Sequence, residues 1–184
     1  MNPRTEPARI FGITGGHGED KIALLERLIP ELGRRGVTVS TVKYIDHPFD
    51  IDRPGKDSYR HREAGAHEVL VLSRHRWAIL HENPESTPPD LDDLIAHMSP
   101  VDLVIAIGFR DHPHDRLEIG PNDHGKRARA RANSRIVALA GDSRSPSAND
   151  LPDAPPFFDL GDVRSIADFI VAHYGLVPSG GSVP

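Results

Sequence analysis

Residues 9–32 read RIFGITGGHGEDKIALLERLIPEL. Arg9–Thr14 is a short β-prone run, and the glycine-rich loop GGHGED follows it at Gly15–Asp20. From Lys21 to Arg35, Ile22, Leu24, Leu25, Leu28, Ile29 and Leu32 recur at helical spacing, and Gly36 is placed to stop the helix. Strand, glycine loop, lysine and apolar helix in that order are the layout of a phosphate-binding loop, GxxxxGK[ST]. In such a loop the backbone N–H groups at a helix N-terminus form a nest for phosphate, and the lysine reaches the same oxygens. Gly15 and Lys21 hold their positions, but Asp20 stands at the second glycine and Ile22 at the Mg2+-binding hydroxyl.

Further along, Val37–Lys43 reads as a second strand, and Tyr44–Asp57 as a loop rich in Asp, Pro and Gly. Ser58 is expected to N-cap a short helix, YRHREAGA, with Gly65 near its end. Glu68–Leu72 and Trp77–His81 read as strands joined by SRHR, and Pro84–Pro89 as a loop. Asp90–Met98 is a helix with acids in its first turn, as the macrodipole favours. Val101–Ile107 (VDLVIAI) is the most apolar run, a buried central strand; Arg116–Ile119 and Arg135–Ala140 are further strands. Asp142–Pro156 is a polar, Pro-rich loop. Asp162–Tyr174 is a closing helix with Ile166, Phe169, Ile170 and Tyr174 on one stripe, and Leu176–Pro184 a tail expected to be disordered. Alternating β and α elements predict an α/β fold: a mostly parallel sheet with helices on both faces. Ligands in such sheets sit at the carboxyl ends of the strands, which singles out the loops after Thr14, Lys43 and Ile107. The expected organisation is an N-terminal extension at 1–8, one domain at 9–174 and a tail at 175–184.

The 184 residues fit one domain with a core of its own. With 22 Lys+Arg against 27 Asp+Glu the formal charge is −5, which argues against a nucleic-acid binder. The absence of cysteine excludes disulfides, Cys-based zinc sites and a thiol nucleophile. The start MNPRTEPARI has no apolar signal-peptide core, and no apolar run approaches the roughly 20 residues of a membrane helix. A cytoplasmic protein without membrane contact is expected.

Asp50–Ala66 reads DIDRPGKDSYRHREAGA. It stands with ITG at Ile13–Gly15, LLERLIPEL at Leu24–Leu32, TVK at Thr41–Lys43, RWAILHE at Arg76–Glu82, DLVIAIGF at Asp102–Phe109 and DVRSIADFI at Asp162–Ile170. Over Arg9–Tyr174 the chain closely resembles the molybdopterin-guanine dinucleotide biosynthesis protein B (MobB) family. The resemblance implies a P-loop NTPase-like fold, usually homodimeric, that binds GTP and hydrolyses it slowly at most. It further implies an accessory role to the guanylyltransferase MobA, which attaches GMP to molybdopterin. Gly15, Gly16, His17, Gly18 and Lys21 would form the phosphate loop. Lys43, His47, Asp50, Asp52, Lys56, Asp57 and Ser58 are candidates for Mg2+, phosphate or pterin, with Asp50 and Asp52 as the metal candidates; the alternative is a turn shaped by Pro54 and Gly55. Arg60, Arg62 and Arg110 are candidate phosphate contacts, and no residue qualifies as a catalytic base.

The chain departs from the family pattern where nucleotide chemistry would occur. Family loops read like GxSGxGKT, so Asp20 would set a carboxylate against a triphosphate, a repulsion of about 3 kcal/mol per charge pair at ~5 Å with ε ~20. Ile22 offers Mg2+ no oxygen. The family strand ends in EGF, and here it ends in Ile107-Gly108-Phe109. Family members read like KHxHHDFD where Lys43–Asp50 is KYIDHPFD, so Tyr44 and Asp46 replace histidines. These changes predict an acidic side chain in the anion nest and weakened nucleotide use. Three readings stand: a GTP-binding accessory protein with an impaired site, a nucleotide-independent pseudo-NTPase binding module, and a pterin or metal carrier using the loop from Lys43 to Ser58. Asp111-His112-Pro113-His114-Asp115 reads as an exposed loop, and Lys126, Arg127, Arg129 and Arg131 as a solvated basic run or an acidic-ligand contact. Trp77 and Phe109 read as core or interface aromatics.

Overall fold

Val101–Ile107, the most apolar run, supplies β5 (Leu103–Ile107), which lies inside a six-stranded sheet. The computed structural model describes residues 8–47, 49–83, 88–120, 133, 135–142 and 155–177. The chain forms two compact units, Met1–Tyr44 with Ile95–Pro184, and Ile45–Leu94.

In the first unit the strands are β1 (Ile10–Gly15), β2 (Val39–Lys43), β5, β6 (Asp115–Ile119), β7 (Ile136–Gly141) and β8 (Phe157–Asp159), in the order β2-β5-β1-β6-β7-β8. Every neighbour pair is parallel. Side chains alternate between faces. Phe11, Ile13, Leu103, Ile105, Leu117 and Ile119 therefore share one face, where they meet Leu24, Leu28 and Leu32 of α1 (Gly18–Arg34) and Ile166, Ala167 and Ile170 of the closing helix (Val163–Tyr174). Tyr174 fixes that helix to β1 by donating its hydroxyl to the Ile10 carbonyl at 2.6 Å. On the opposite face Val104 lines a groove with Ile95, Met98 and Val101.

Several expectations are corrected. α1 begins at Gly18, three residues before Lys21, because Asp20 closes its first turn on the His17 N–H. β6 begins at Asp115, one residue before the expected strand, and pairs with both β1 and β7. β8 was not anticipated; it has only three residues. The tail does not begin at Leu176: Gly175 takes a left-handed cap (φ 57°) and turns Leu176, 5% exposed, into the core. The expectations for 1–7, 84–87, 143–154 and 178–184, and the basic run Lys126–Arg131, lie outside the described residues.

The second unit carries an antiparallel hairpin, separate from the main sheet. Its strands are β3 (Glu68–Leu72) and β4 (Trp77–His81), with Leu70 opposite Ile79 and Leu72 opposite Trp77. These four side chains share one face and are exposed; Trp77, at 59%, is not a core residue. α2 (Asp57–Glu63) has Lys56 as its N-cap, so Ser58 lies within the helix and is not the cap. α3 (Leu91–Ala96) crosses the sequence boundary between the units.

β2 and β5 are pinned at their starts by one reciprocal pair. Asp102 Oδ2 accepts from the Thr38 N–H (2.8 Å) and hydroxyl (2.6 Å), and the Asp102 N–H donates to Thr38 Oγ1 (2.9 Å). Asp102→Ala removes the charged acceptor of both Thr38 bonds, so urea unfolding should show a loss of about 1–3 kcal/mol with little change in m.

Candidate functional site

The parallel strands bring the loops after β1, β2 and β5 to the same edge of the sheet. In the first of these, Gly15 (φ 70°) and Gly16 (φ 59°) are consecutive left-handed residues. A Cβ on Gly15 would lie 2.3 Å from the Ile119 carbonyl oxygen, and one on Gly16 2.8 Å from Ile119 Cγ2. Both positions therefore require glycine. Gly18 is different, because a Cβ there meets open space.

Lys21 folds back over the loop. Its ammonium donates to the carbonyls of Gly15 (2.7 Å), His17 (3.3 Å) and Gly16 (3.4 Å). Asp20 Oδ2 accepts the His17 backbone N–H at 2.9 Å. Glu19 and Asp20 also place negative charge at the positive end of α1. Ile22 stands 54% exposed in the first turn, and Ile107 is in register with Ile13 and Lys43. Lys43 is exposed at the end of β2. Tyr44 follows it, donating its N–H to the Ile107 carbonyl (2.9 Å) and setting its ring 5.9 Å from that of Phe109.

In the second unit the candidates gather around Arg62. Its Nη2 reaches both Asp50 carboxylate oxygens (2.9 and 3.1 Å), its Nη1 donates to Glu82 (2.5 Å), its Nε lies 3.6 Å from Asp52 Oδ2, and the guanidinium covers the Tyr59 ring. Glu82 and then Asp50 raise the Arg62 pKa further. The Asp52 backbone N–H, followed by Arg62, holds the Asp50 carboxyl below the usual carboxylate range. Asp52 Oδ1 accepts from the Arg53 N–H and the Ser58 hydroxyl, both at 2.9 Å. Asp50 and Asp52 thus come together around a guanidinium. Lys56, Asp57, Ser58 and His61 line an open groove with Val69 and Leu70. Arg60 and His47 are exposed.

The Asp111–Asp115 segment is not simply an exposed loop. His114 and Arg116 are each only 7% exposed. The His112 and His114 Nδ1 atoms are 2.9 Å apart, and a Cβ on Gly12 would lie 2.4 Å from His114 Nε2. The signal available in the sequence was the i, i+2, i+4 spacing of His112, His114 and Arg116, which puts strand residues on one face.

The family model described as MobB, molybdopterin guanine dinucleotide synthesis protein B, matches residues 10–142. A molybdopterin-guanine dinucleotide biosynthesis adapter protein of Escherichia coli (strain K12) is 35% identical over 168 residues, 90% of this chain and 91% of its own. One from Haemophilus influenzae is 42% identical over 110 residues, 59% of this chain and 61% of its own. A crystal structure of molybdopterin-guanine biosynthesis protein B superposes with a TM-score of 0.68 at 27% identity, covering 91% of this chain and 99% of that one. A MobB homologue from Bacillus stearothermophilus, at 20% identity and a TM-score of 0.63, shares the fold.

Burial, and then the Arg116 charge, push the His114 pKa down from 6.5 to about 4. The unfolded chain therefore binds more protons than the folded one between those values. Stability from this group is complete above about pH 6.5 and is lost as the pH falls to about 4. His114→Leu should flatten the pH dependence of the denaturation midpoint across that window.

Proposed function

The chain belongs to the MobB family, and from that premise we propose that it is an adapter in the formation of the molybdopterin-guanine dinucleotide cofactor, with a glycine loop that holds guanine nucleotide weakly and without Mg2+. The adapter role is carried over from the curated relatives, which have that name. The nucleotide part rests on one observation, the bond from the His17 N–H to the Asp20 carboxylate.

Gly15, Gly16 and the first turn of α1 keep the backbone shape that cradles phosphate. One donor of that cradle is already engaged, and by a carboxylate that repels the ligand. Mg2+ does not fit, since neither Ile22 nor Ile107 offers an oxygen where the family pattern has one. Guanine nucleotide would have to displace the Asp20 carboxylate, and the Lys21 ammonium would have to leave three carbonyls. The same bonds favour a second reading, a pseudo-NTPase module that supports the guanylyltransferase through protein contacts alone. In either case the partners are a MobA-type guanylyltransferase and molybdopterin, and the setting is the cytoplasm.

Titration calorimetry with GTP, with and without Mg2+, separates the readings. The wild type should bind weakly and without dependence on Mg2+. Asp20→Gly with Ile22→Thr should tighten binding at least tenfold, about 1.4 kcal/mol, and restore the Mg2+ dependence. Equal affinity in the two proteins overturns the blocked-nest reading. No binding by the wild type, with recovery in the variant, selects the pseudo-NTPase module.

The expected homodimer is assigned to the hairpin face formed by Leu70, Leu72, Trp77 and Ile79. A contiguous exposed apolar patch is the kind of surface that marks an interaction site. Leu72→Asp with Trp77→Arg should convert dimer to monomer in sedimentation velocity; a variant still dimeric would place the interface elsewhere.

A further inference from the structure

Val69 of the hairpin is only 7% exposed, whereas Leu70, Leu72, Trp77 and Ile79 on its opposite side all lie open to solvent. Antiparallel pairing sets Glu68 opposite His81, Leu70 opposite Ile79, and Leu72 opposite Trp77. Alternation along the strands puts these pairs on one and the same face. Beyond Leu72 the Ser73 N–H donates to the Arg76 carbonyl at 2.7 Å, and the Ser73 hydroxyl donates to the same oxygen at 3.0 Å. Those bonds close a turn with Arg74 and His75 at its tip, both exposed.

Charge is graded along that face. From Val69 to Leu80 there is no acidic residue, and the turn carries Arg74 with Arg76 two positions on. Neither arginine has a carboxylate partner among the described residues. At the other end Glu68 is half-exposed and meets His81 Nδ1 through Oε1 at 2.9 Å, which leaves Oε2 without a bond among the described residues. The face therefore runs from a carboxylate at its base, through four apolar side chains, to guanidinium groups at its tip. Two such faces are complementary in one direction. Laid head to tail, Glu68 comes over the partner's Arg74, Leu70 over the partner's Leu72, and Ile79 over the partner's Trp77. Laid in the same direction, Arg74 opposes Arg74 and Glu68 opposes Glu68. Glu68 and Arg74 are separated by about 20 Å at roughly 3.3 Å per residue, equally on both copies, so one two-fold axis over the apolar side chains matches both ends at once.

We propose that the hairpin binds a second copy of this chain head to tail, with Leu70, Leu72, Trp77 and Ile79 at the centre and a Glu68–Arg74 ion pair at each end. This rests on the dimer reading above and adds what that reading leaves open, namely which residues choose the direction of pairing. The apolar side chains supply association but little preference between the two directions. The charges at the rim supply the preference, by attraction in one direction and repulsion in the other.

The test is the dimer dissociation constant of the full chain by sedimentation equilibrium at low salt. It is measured on the wild type, Arg74→Glu, Glu68→Lys and an equimolar mixture of the two variants. Each variant alone should dimerise about tenfold more weakly than the wild type, because like charges then face each other at both ends. The mixture should recover to within about threefold of the wild type, since the acidic tip of one chain meets the basic base of the other. Half-molar salt should shrink these differences. An Arg74→Glu variant that dimerises as tightly as the wild type or more tightly overturns the proposal, as pairing in the same direction requires. Weakening in both variants without recovery in the mixture also overturns it. If Glu68→Lys fails to fold, Arg74→Glu decides, because its side chain is exposed in the turn. A wild type that stays monomeric removes the dimer reading itself, whereas a wild-type dimer indifferent to both substitutions removes only the head-to-tail pairing.

Discussion

β1 runs between β5 and β6 with no room for side chains at three of its turns and contacts. A Cβ on Gly12 would strike His114, one on Gly15 the Ile119 carbonyl and one on Gly16 the Ile119 side chain. That closeness lets β6 pair with β1 along its whole length, from Phe11–Asp115 to Gly15–Ile119. It fixes where the chain turns into α1, and therefore where the N–H groups of the first helical turn point. The core on one face and the buried His114 and Arg116 on the other are both consequences of the same register. A residue larger than glycine at these positions would move β6, and with it Leu117 and Ile119 of the core.

Much of this was legible because long periodic segments announce themselves. The stripe from Leu24 to Leu32 and the run Leu103–Ile107 could be read as helix and buried strand, and the hairpin was bounded correctly by β-prone runs around SRHR. Short elements were not legible. β8 is three residues beside a Pro-rich stretch, and its strand state comes from pairing with β7, a tertiary effect no local pattern encodes. Ser58 looked like a cap, but its hydroxyl is held by Asp52, six residues upstream, and the helix begins before it. Leu176 looked like tail because Gly, Ser and Pro follow; a left-handed glycine folds it inward.

Within the candidate site the sequence singled out Asp50 and Asp52, and the structure sets both beside the Arg62 guanidinium of the same unit. Two arginines show how little residue type alone decides. Arg62 is bonded by the carboxylates of Asp50 and Glu82 and lies 3.6 Å from that of Asp52. Arg116 is more deeply buried and is met by carbonyl oxygens. The sequence marked the first as a candidate and passed over the second, because burial depends on Gly12, about a hundred residues away.

The glycine loop closes on itself: one ammonium bridges three of its carbonyls, and one carboxylate takes its free N–H. Switching proteins work because a nucleotide orders a segment that is loose without it, and hydrolysis releases that segment again. A loop whose lysine and His17 N–H are already engaged has less order left to gain from a ligand. The surface around α1 would then be the same whether the cell's GTP pool is full or depleted.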